Sequence, residues 1–273
     1  MPTLRVNDLD HYYEQHGEGP SLVFVHGAFV DSRMWDPQLK HFSAKYRVLR
    51  YDLRGHGRTG PSELKKYSMD AFAEDLSDLL DALEIKNPIL CGLSLGGMIA
   101  QSFAVQNPGR LKALVLADTA VSVSLTLMDK LQRYVLFPKW AMVLTIRTMN
   151  ARNFTRFSFW LARATRSEQW MGRDETTREY IELCMVQMNN AEYLKIYEAI
   201  YDFRLLPLEK IDCPTLVLNG EHESKSVFRH TEEILRLVPQ TGAKVVSGAG
   251  HTSNMENPEA FNELVGEFLD SLG

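Results

Sequence analysis

The sequence has little of what several protein classes require. Basic residues do not exceed acidic ones, and the formal net charge of -5 argues against nucleic acid as the main partner. No apolar run reaches the roughly 18 residues of a membrane span. The first residues, Met-Pro-Thr-Leu-Arg-Val-Asn-Asp, contain no apolar segment of a signal peptide. We therefore expect a soluble protein without a membrane span, located in the cytoplasm.

Cysteine is also scarce. Cys91, Cys184 and Cys213 are odd in number, widely spaced and set in apolar surroundings, which is typical of buried free thiols in a reducing compartment. The cysteines and histidines do not show the spacing of metal ligands, so we expect neither a metal nor another cofactor.

Hydrophobic residues make up 45% of the 273 residues, enough for one large core or for a core with a lid. Short apolar strands alternate with amphipathic helices over residues 1–120, and strands resume after about residue 206. This alternation predicts an α/β fold, in which helices flank both faces of a mostly parallel sheet.

Ser94 lies at the centre of a Gly-x-Ser-x-Gly pattern between an apolar strand, Ile89–Cys91, and a helix with an apolar face. A sharp strand-to-helix turn lifts the serine hydroxyl clear of the backbone and strains the serine itself. The positions two before and two after it must be small because strand and helix pass close together, and Gly92 and Gly96 meet that demand. Ser94 is the predicted nucleophile.

A serine nucleophile needs a base, and the base needs a carboxylate that orients it. In folds with such a turn the chain order is serine, acid, histidine. His251 lies in a glycine-rich loop after the last predicted strand and is the predicted base. We expect His222 and His230 to face solvent, and His26 to be structural.

Three carboxylates compete for the role of the acid. Glu223, three residues past the glycine that ends a strand, is preferred. Asp118 lies at the end of the strand that follows the helix after Ser94, and it could supply the carboxylate from the other side. Glu221 is the third candidate.

Two backbone N–H groups are predicted to form an oxyanion hole. One belongs to Leu95, directly after the serine. The other is assigned to Phe29, with Ala28 as the alternative, on the loop after the apolar strand that begins at Ser21. A second loop, at 52–60, is rich in glycine and charge. We expect its Asp52, Arg54, His56 and Arg58 to hold the loop by hydrogen bonds rather than to react.

Residues 121–205 are predicted to form a helical cap over the serine, inserted between the core parts 1–120 and 206–273. The middle of the cap, 128–173, has a net charge of +7 and is rich in aromatic residues. Three interpretations stay open: a solvated helix face, attraction of an anionic substrate, or a basic helix at a membrane surface. The basic residues are Lys130, Arg133, Lys139, Arg147, Arg152, Arg156, Arg163, Arg166 and Arg173; the acidic ones are Asp129 and Glu168; the aromatic ones are Phe137, Trp140, Phe154, Phe157, Phe159, Trp160 and Trp170.

Five segments carry a resemblance to a known family: Met34–Gln38, Leu49–Gly57, Cys91–Met98, Leu114–Ala120 and Gly250–Phe261. They resemble the α/β-hydrolase superfamily across nearly the whole chain, and within it the 3-oxoadipate enol-lactonases and neighbouring small esterases. Several of these strings also recur in other lactonases and in cofactor-free haloperoxidases. The family usually has aspartate where this chain has Glu223.

The resemblance and the predicted site together imply a serine hydrolase that acts on a small carboxylic ester or lactone, anionic in one interpretation, through an acyl-enzyme. A ligand receptor on the same fold and a cofactor-free perhydrolase or haloperoxidase are the alternatives. A dehalogenase is disfavoured because position 94 is serine, not the carboxylate that halide displacement requires. The pattern does not indicate an oligomeric state.

Overall fold

Eight strands form one sheet in the computed structural model, which describes residues 2–125, 130–131, 134–135, 138–164 and 168–273, with the backbone alone at 168–169. The strands lie in the order β1-β2-β4-β3-β5-β6-β7-β8, and β2 runs antiparallel to β1 and β4 while the other pairs are parallel. The predicted α/β fold with a mostly parallel sheet is confirmed. The strands are β1 (Thr3–Val6), β2 (Leu9–His16), β3 (Ser21–Val25), β4 (Arg47–Tyr51), β5 (Ile89–Leu93), β6 (Ala113–Ala117), β7 (Thr215–Gly220) and β8 (Thr241–Val246).

Helices cover both faces of the sheet. Successive side chains of a strand point to opposite faces, so a strand buried on both faces is apolar throughout. On β3, Val23 belongs to one buried cluster and Phe24 to the other. The helices are α1 (Asp36–Phe42), α2 (Met69–Ala82), α3 (Leu95–Gln106), α4 (Lys139–Thr148), α5 (Ala151–Ala164), α6 (Glu175–Gln187), α7 (Asn190–Asp202), α8 (Lys225–Leu237), α9 (Ser253–Glu256) and α10 (Pro258–Asp270).

The two clusters assign the helices to their faces. Phe72 of α2 and Phe103 of α3 pack with Val23 on one face. Phe42 of α1 and Phe261 of α10 pack with Phe24 on the other. The apolar stripes of these helices and the alternating strand residues therefore bury one another on the two sides of the sheet.

Between β6 and β7, the described residues of the segment 121–205 form helices α4 to α7 and no strand. We call this segment the cap. Its division from the core at residues 120 and 206 stays a prediction. Of the residues singled out in the cap sequence, Asp129, Arg133, Phe137 and Arg166 and the side chain of Glu168 lie outside the described residues. Within the described parts of the chain, every helix is too short or too polar to cross a membrane.

The loop after β4 is held by its own charged side chains. Asp52 accepts the N–H groups of Ser32 at 2.8 Å and Arg58 at 2.7 Å. The buried guanidinium of Arg54 donates to both oxygens of Asp75 at 2.6 Å. His26 likewise accepts the N–H of Leu53 at 2.9 Å, so these groups fix loops beside the strand ends.

Candidate active site

Ser94 occupies a strained turn between β5 and α3. Its backbone angles are φ 54° and ψ -113°, in a region that non-glycine residues seldom adopt. A Cβ at Gly92 would lie 2.3 Å from the carbonyl oxygen of Gly96, and one at Gly96 would lie 2.1 Å from that of Val25. Larger side chains at these two positions would push strand and helix apart, as the spacing predicts.

His251 joins the serine to a carboxylate. It follows β8, is 7% exposed, and its Nε2 lies 2.9 Å from Ser94 Oγ. Its Nδ1 lies 2.5 Å from Oε2 of Glu223, whose other oxygen accepts the N–H of Ser224. Because a carboxylate accepts hydrogen bonds, Nδ1 carries the proton and Nε2 is left to accept the serine proton.

The charge of Glu223 shifts the proton affinity of the histidine. Burial by itself disfavours the imidazolium, but the adjacent Glu223 carboxylate outweighs it and raises the pKa of His251 above its ordinary 6.5. The side chain of Glu223 is fully buried, so little solvent screens this pair.

Asp118, the alternative acid, holds other partners. It is fully buried at the end of β6, where Oδ1 accepts the N–H of Gly220 at 2.8 Å and Oδ2 accepts the hydroxyl of Ser253 at 2.5 Å. Gly220 precedes the Glu223 loop and Ser253 follows His251, so Asp118 connects the two loops that meet at the histidine. Burial, and then the charge of Glu223, raise the pKa of Asp118 to about 7. The third candidate, Glu221, is exposed and accepts the N–H of Gly248 at 2.8 Å.

The loop that carries Phe29 is strained and is contacted by the cap. Phe29 has φ 65°, the left-handed region that a bulky residue rarely adopts. Its ring stacks in parallel on Tyr193 of α7, with centroids 3.8 Å apart, and Phe154 of α5 packs edge-on against Tyr193. Leu95, the other predicted donor, begins α3, where N–H groups have no partner within the helix.

A second cap contact fixes the same loop two residues further on. The hydroxyl of Tyr180 in α6 donates to the carbonyl oxygen of Asp31 at 2.9 Å. Burial alone would raise the pKa of Asp31, but its hydrogen bonds with Arg33 hold that pKa at about 2. The cap therefore contacts the Phe29 loop at two points.

A cavity of about 510 Å³ opens beside Ser94 and His251. Core residues such as Met34, Leu93 and Met98 line one side, and cap residues such as Ile181, Met185 and Ile200 line the other. Trp170 also lines it, and its ring centroid lies 4.0 Å from that of His251. The sequence identified Trp170 as a cap aromatic but offered no signal for its place at the histidine.

His230 corrects a sequence-based expectation. It was expected to face solvent, but it is buried and lines the cavity. Val227 and Ile234, three residues before and four after it on α8, are also buried, so His230 lies on the inner face of that helix. That helical spacing is visible in the sequence and could have found it. His222 is exposed, as expected.

The described part of the chain brings no three His, Cys, Asp or Glu side chains together in a way that could hold a metal ion. The three cysteines are buried and form no disulfide, and burial raises the pKa of each thiol above its usual range. These thiols are therefore not poised as nucleophiles.

The sheet, the strained serine between β5 and α3, and the histidine after β8 define the chain as an α/β hydrolase. It belongs to the alpha/beta hydrolase fold family, whose model matches residues 20–258. It is 27% identical to 3-oxoadipate enol-lactonase 2 of Acinetobacter baylyi, over 96% of this chain and 94% of that protein. The predicted resemblance to the enol-lactonases is confirmed.

One solved structure and one further relative also resemble the chain. The solved structure of the enol-lactonase from Burkholderia xenovorans LB400 matches with a TM-score of 0.82 and 27% identity, over 98% of this chain and all of that one. The non-heme chloroperoxidase CPO-A1 of Kitasatospora aureofaciens is 28% identical, over 99% of this chain and 100% of that protein. One fold thus unites relatives whose names describe different reactions.

Proposed function

We propose that the chain is a serine hydrolase that cleaves a carboxylic ester or lactone through an acyl-enzyme. The observation that carries the proposal is the continuous hydrogen-bonded series from Ser94 Oγ through His251 to Glu223. Each member has the partner that its role requires, and the serine faces a cavity of the size of small-molecule sites.

Acylation uses the series from one end to the other. His251 Nε2 takes the proton of Ser94 Oγ as the oxygen attacks the carbonyl carbon of the substrate. The N–H groups of Phe29 and Leu95 donate to the oxyanion, and Glu223 stabilises the imidazolium. The tetrahedral intermediate collapses, and the leaving alkoxide takes the proton from His251; in a lactone this new hydroxyl stays attached to the acyl group.

Deacylation repeats the sequence with water as the nucleophile. His251 takes a proton from water, the hydroxide attacks the acyl carbon, and Ser94 leaves and recovers its proton from the imidazolium. The sum is one ester and one water converted to one acid and one alcohol. The names of two relatives, both enol-lactonases, support this chemistry on a cyclic ester.

The proposal is tested by hydrolysis of p-nitrophenyl acetate and by covalent labelling with an uncharged p-nitrophenyl alkylphosphonate. We expect one phosphonyl group per chain, attached to Ser94, and a loss of at least about 10³-fold in hydrolysis in Ser94→Ala. A Ser94→Ala variant that hydrolyses esters as fast as the wild type would contradict the proposal. Tight ligand binding with no turnover would favour the receptor alternative.

A second candidate is perhydrolysis, favoured by the chloroperoxidase relative. If hydrogen peroxide instead of water attacks the acyl-enzyme, the products are a peracid and free Ser94. Peracid formed from acetate and hydrogen peroxide, and absent with Ser94→Ala, would establish this activity. The ratio of peracid formation to ester hydrolysis decides which reaction dominates.

We also propose that the cap determines substrate choice and that the protein works in the cytoplasm. The free buried cysteines support the second point, because oxidising compartments favour disulfides.

A further inference from the structure

The described wall of the cavity beside Ser94 is mostly apolar. Among the described residues, no Asp, Glu, Lys or Arg side chain lines it. The polar groups besides Ser94 and His251 are the hydroxyls of Ser122, Ser226 and Thr252, three tyrosines, and the imidazole of His230. The remaining wall is aliphatic, aromatic or methionine. Such a wall solvates an apolar group well and a carboxylate poorly.

The basic cap residues that the structure describes lie outside this cavity. Lys139 forms salt bridges with two carboxylates of α7, Asp202 at 3.2 Å and Glu198 at 3.4 Å. Arg147, Arg152 and Arg156 are exposed. These side chains neither line the cavity nor border its serine.

Three further arginines border a different cavity. Arg163, Arg173 and Arg178 line a space of about 290 Å³, and Met171 lines both this space and the cavity of Ser94. Arg178 donates to the backbone oxygen of Arg173. These arginines therefore line a different space from the serine, and Met171 is the described residue that the two linings share.

Given the proposed function, we infer that the substrate is an uncharged ester or lactone whose apolar acyl group fills the cavity. A carboxylate in that cavity would give up water without gaining a lysine or arginine partner among the described residues. This separates the chain from an enzyme that selects an anionic substrate through its basic cap. The cap charge is then a solvated surface.

Aliphatic and methionine side chains of the cap make the cavity suited to an acyl chain. Ile181, Met185 and Ile200 from the cap face Met34, Leu93 and Met98 from the core. Each methylene buried there should raise kcat/KM by up to about fourfold, until the cavity is full. Acyl chains longer than the cavity should gain nothing further.

The test compares three p-nitrophenyl esters built on a six-carbon acyl chain: hexanoate, adipate with a free carboxylate, and the methyl ester of that adipate. Assays at about pH 8 keep the free carboxyl group of adipate ionised. We expect hexanoate and methyl adipate to exceed adipate in kcat/KM by at least about 100-fold. Methyl adipate separates the effect of charge from that of size.

Two sets of variants locate the selectivity. Ser226→Arg places a guanidinium on the cavity wall and should raise the adipate-to-hexanoate ratio by at least about tenfold, whereas the uncharged control Ser226→Gln should not. A second variant combines Arg163→Gln, Arg173→Gln and Arg178→Gln. Its adipate-to-hexanoate ratio should stay within about twofold of the wild-type ratio. Arg133→Gln and Arg166→Gln are added to the set because both residues lie outside the described ones.

The outcomes are distinct. Ser94-dependent hydrolysis that favours adipate, and loses this preference in the arginine variants, overturns the inference and leaves the hydrolase proposal standing. Absence of both hydrolysis and phosphonate labelling overturns both. If Ser94 is labelled but none of the esters turns over, the labelling rates of hexylphosphonate and its ω-carboxylate analogue replace the ratio, with the same 100-fold expectation and the same contrary result.

Discussion

The two walls of the cavity differ in kind. On the core side, polar groups make defined hydrogen bonds. Ser94 bonds to His251, and His251 bonds to Glu223. Asp118 accepts hydrogen bonds from the two loops that bear His251 and Glu223. The cap wall carries aromatic and aliphatic side chains, and its contacts are stacking and packing, as between Tyr193 and Phe29. This difference supports the proposal that the core wall carries out the chemistry and the cap wall selects the substrate. The Phe29 loop lies where the two walls meet.

The largest effect should come from the core wall. Removal of the base in His251→Ala should lower kcat by about 10³–10⁶-fold, similar to Ser94→Ala. Because the two groups act as one unit, Ser94→Ala with His251→Ala should be no slower than either single variant. Single-turnover hydrolysis of p-nitrophenyl acetate measures all three, and losses that multiply in the double variant would contradict the account.

The next largest effect should be a difference in kcat/KM between variants of the two core carboxylates, Glu223 and Asp118. Glu223→Gln should lower kcat/KM by about 10²–10⁴-fold, because the imidazolium loses its charged partner. Asp118→Asn should cost no more than about tenfold, because an amide can accept from Gly220 and donate to Ser253 Oγ in the same geometry. Near-full activity in Glu223→Gln with collapse in Asp118→Asn would reverse the assignment.

The same pair predicts a pH effect. His251 must be neutral to act as base, so kcat/KM should rise with pH through its pKa, which Glu223 holds above 6.5. In Glu223→Gln burial remains and the attracting charge is gone, so the midpoint of this rise should move to lower pH. Glu221→Gln, which alters an exposed carboxylate, is the matched control and should leave the midpoint unchanged. A midpoint that stays in place in Glu223→Gln would show that its charge does not act on His251.

Where the walls meet, a smaller effect is expected. Tyr193→Leu removes the ring that stacks on Phe29, so the strained loop can relax and its N–H moves away from the oxyanion. We expect kcat to fall by about tenfold for hexanoate, with a smaller change in KM. Tyr193→Phe keeps the ring and should remain near wild type. A change confined to KM would make Tyr193 a substrate contact rather than a positioning residue.

The residues of the core wall could be predicted from the sequence to a greater extent than those of the cap wall. Gly92, Ser94 and Gly96 are predictable because the close approach of strand and helix admits few residue types at those positions. His251 follows from chain order. Glu223 and Asp118 both end up near the histidine loop, and their separate roles depend on which loops pack together in three dimensions.

The sequence could not predict which cap residues line the cavity, and the reason is physical. Met185 and Tyr193 are buried on cap helices, and periodicity can predict that burial but not the partner they pack against. Trp170 is exposed by 39% although its ring lies against His251, so burial would not have identified it either. Arginines dominate the cap sequence, yet in the structure the described ones lie away from the serine. Charge counted along a chain does not show which side of a helix faces a cavity.

Trapping the acyl-enzyme tests directly whether Ser94 is the nucleophile, with His251 as its base and Glu223 as the carboxylate that orients the base. Wild-type protein mixed with p-nitrophenyl hexanoate should be quenched in acid within milliseconds and its mass measured intact and after proteolysis. We expect a transient gain of one hexanoyl group on the peptide that contains Ser94, absent in Ser94→Ala. Steady hydrolysis by the wild type with the acyl group on another residue would contradict it.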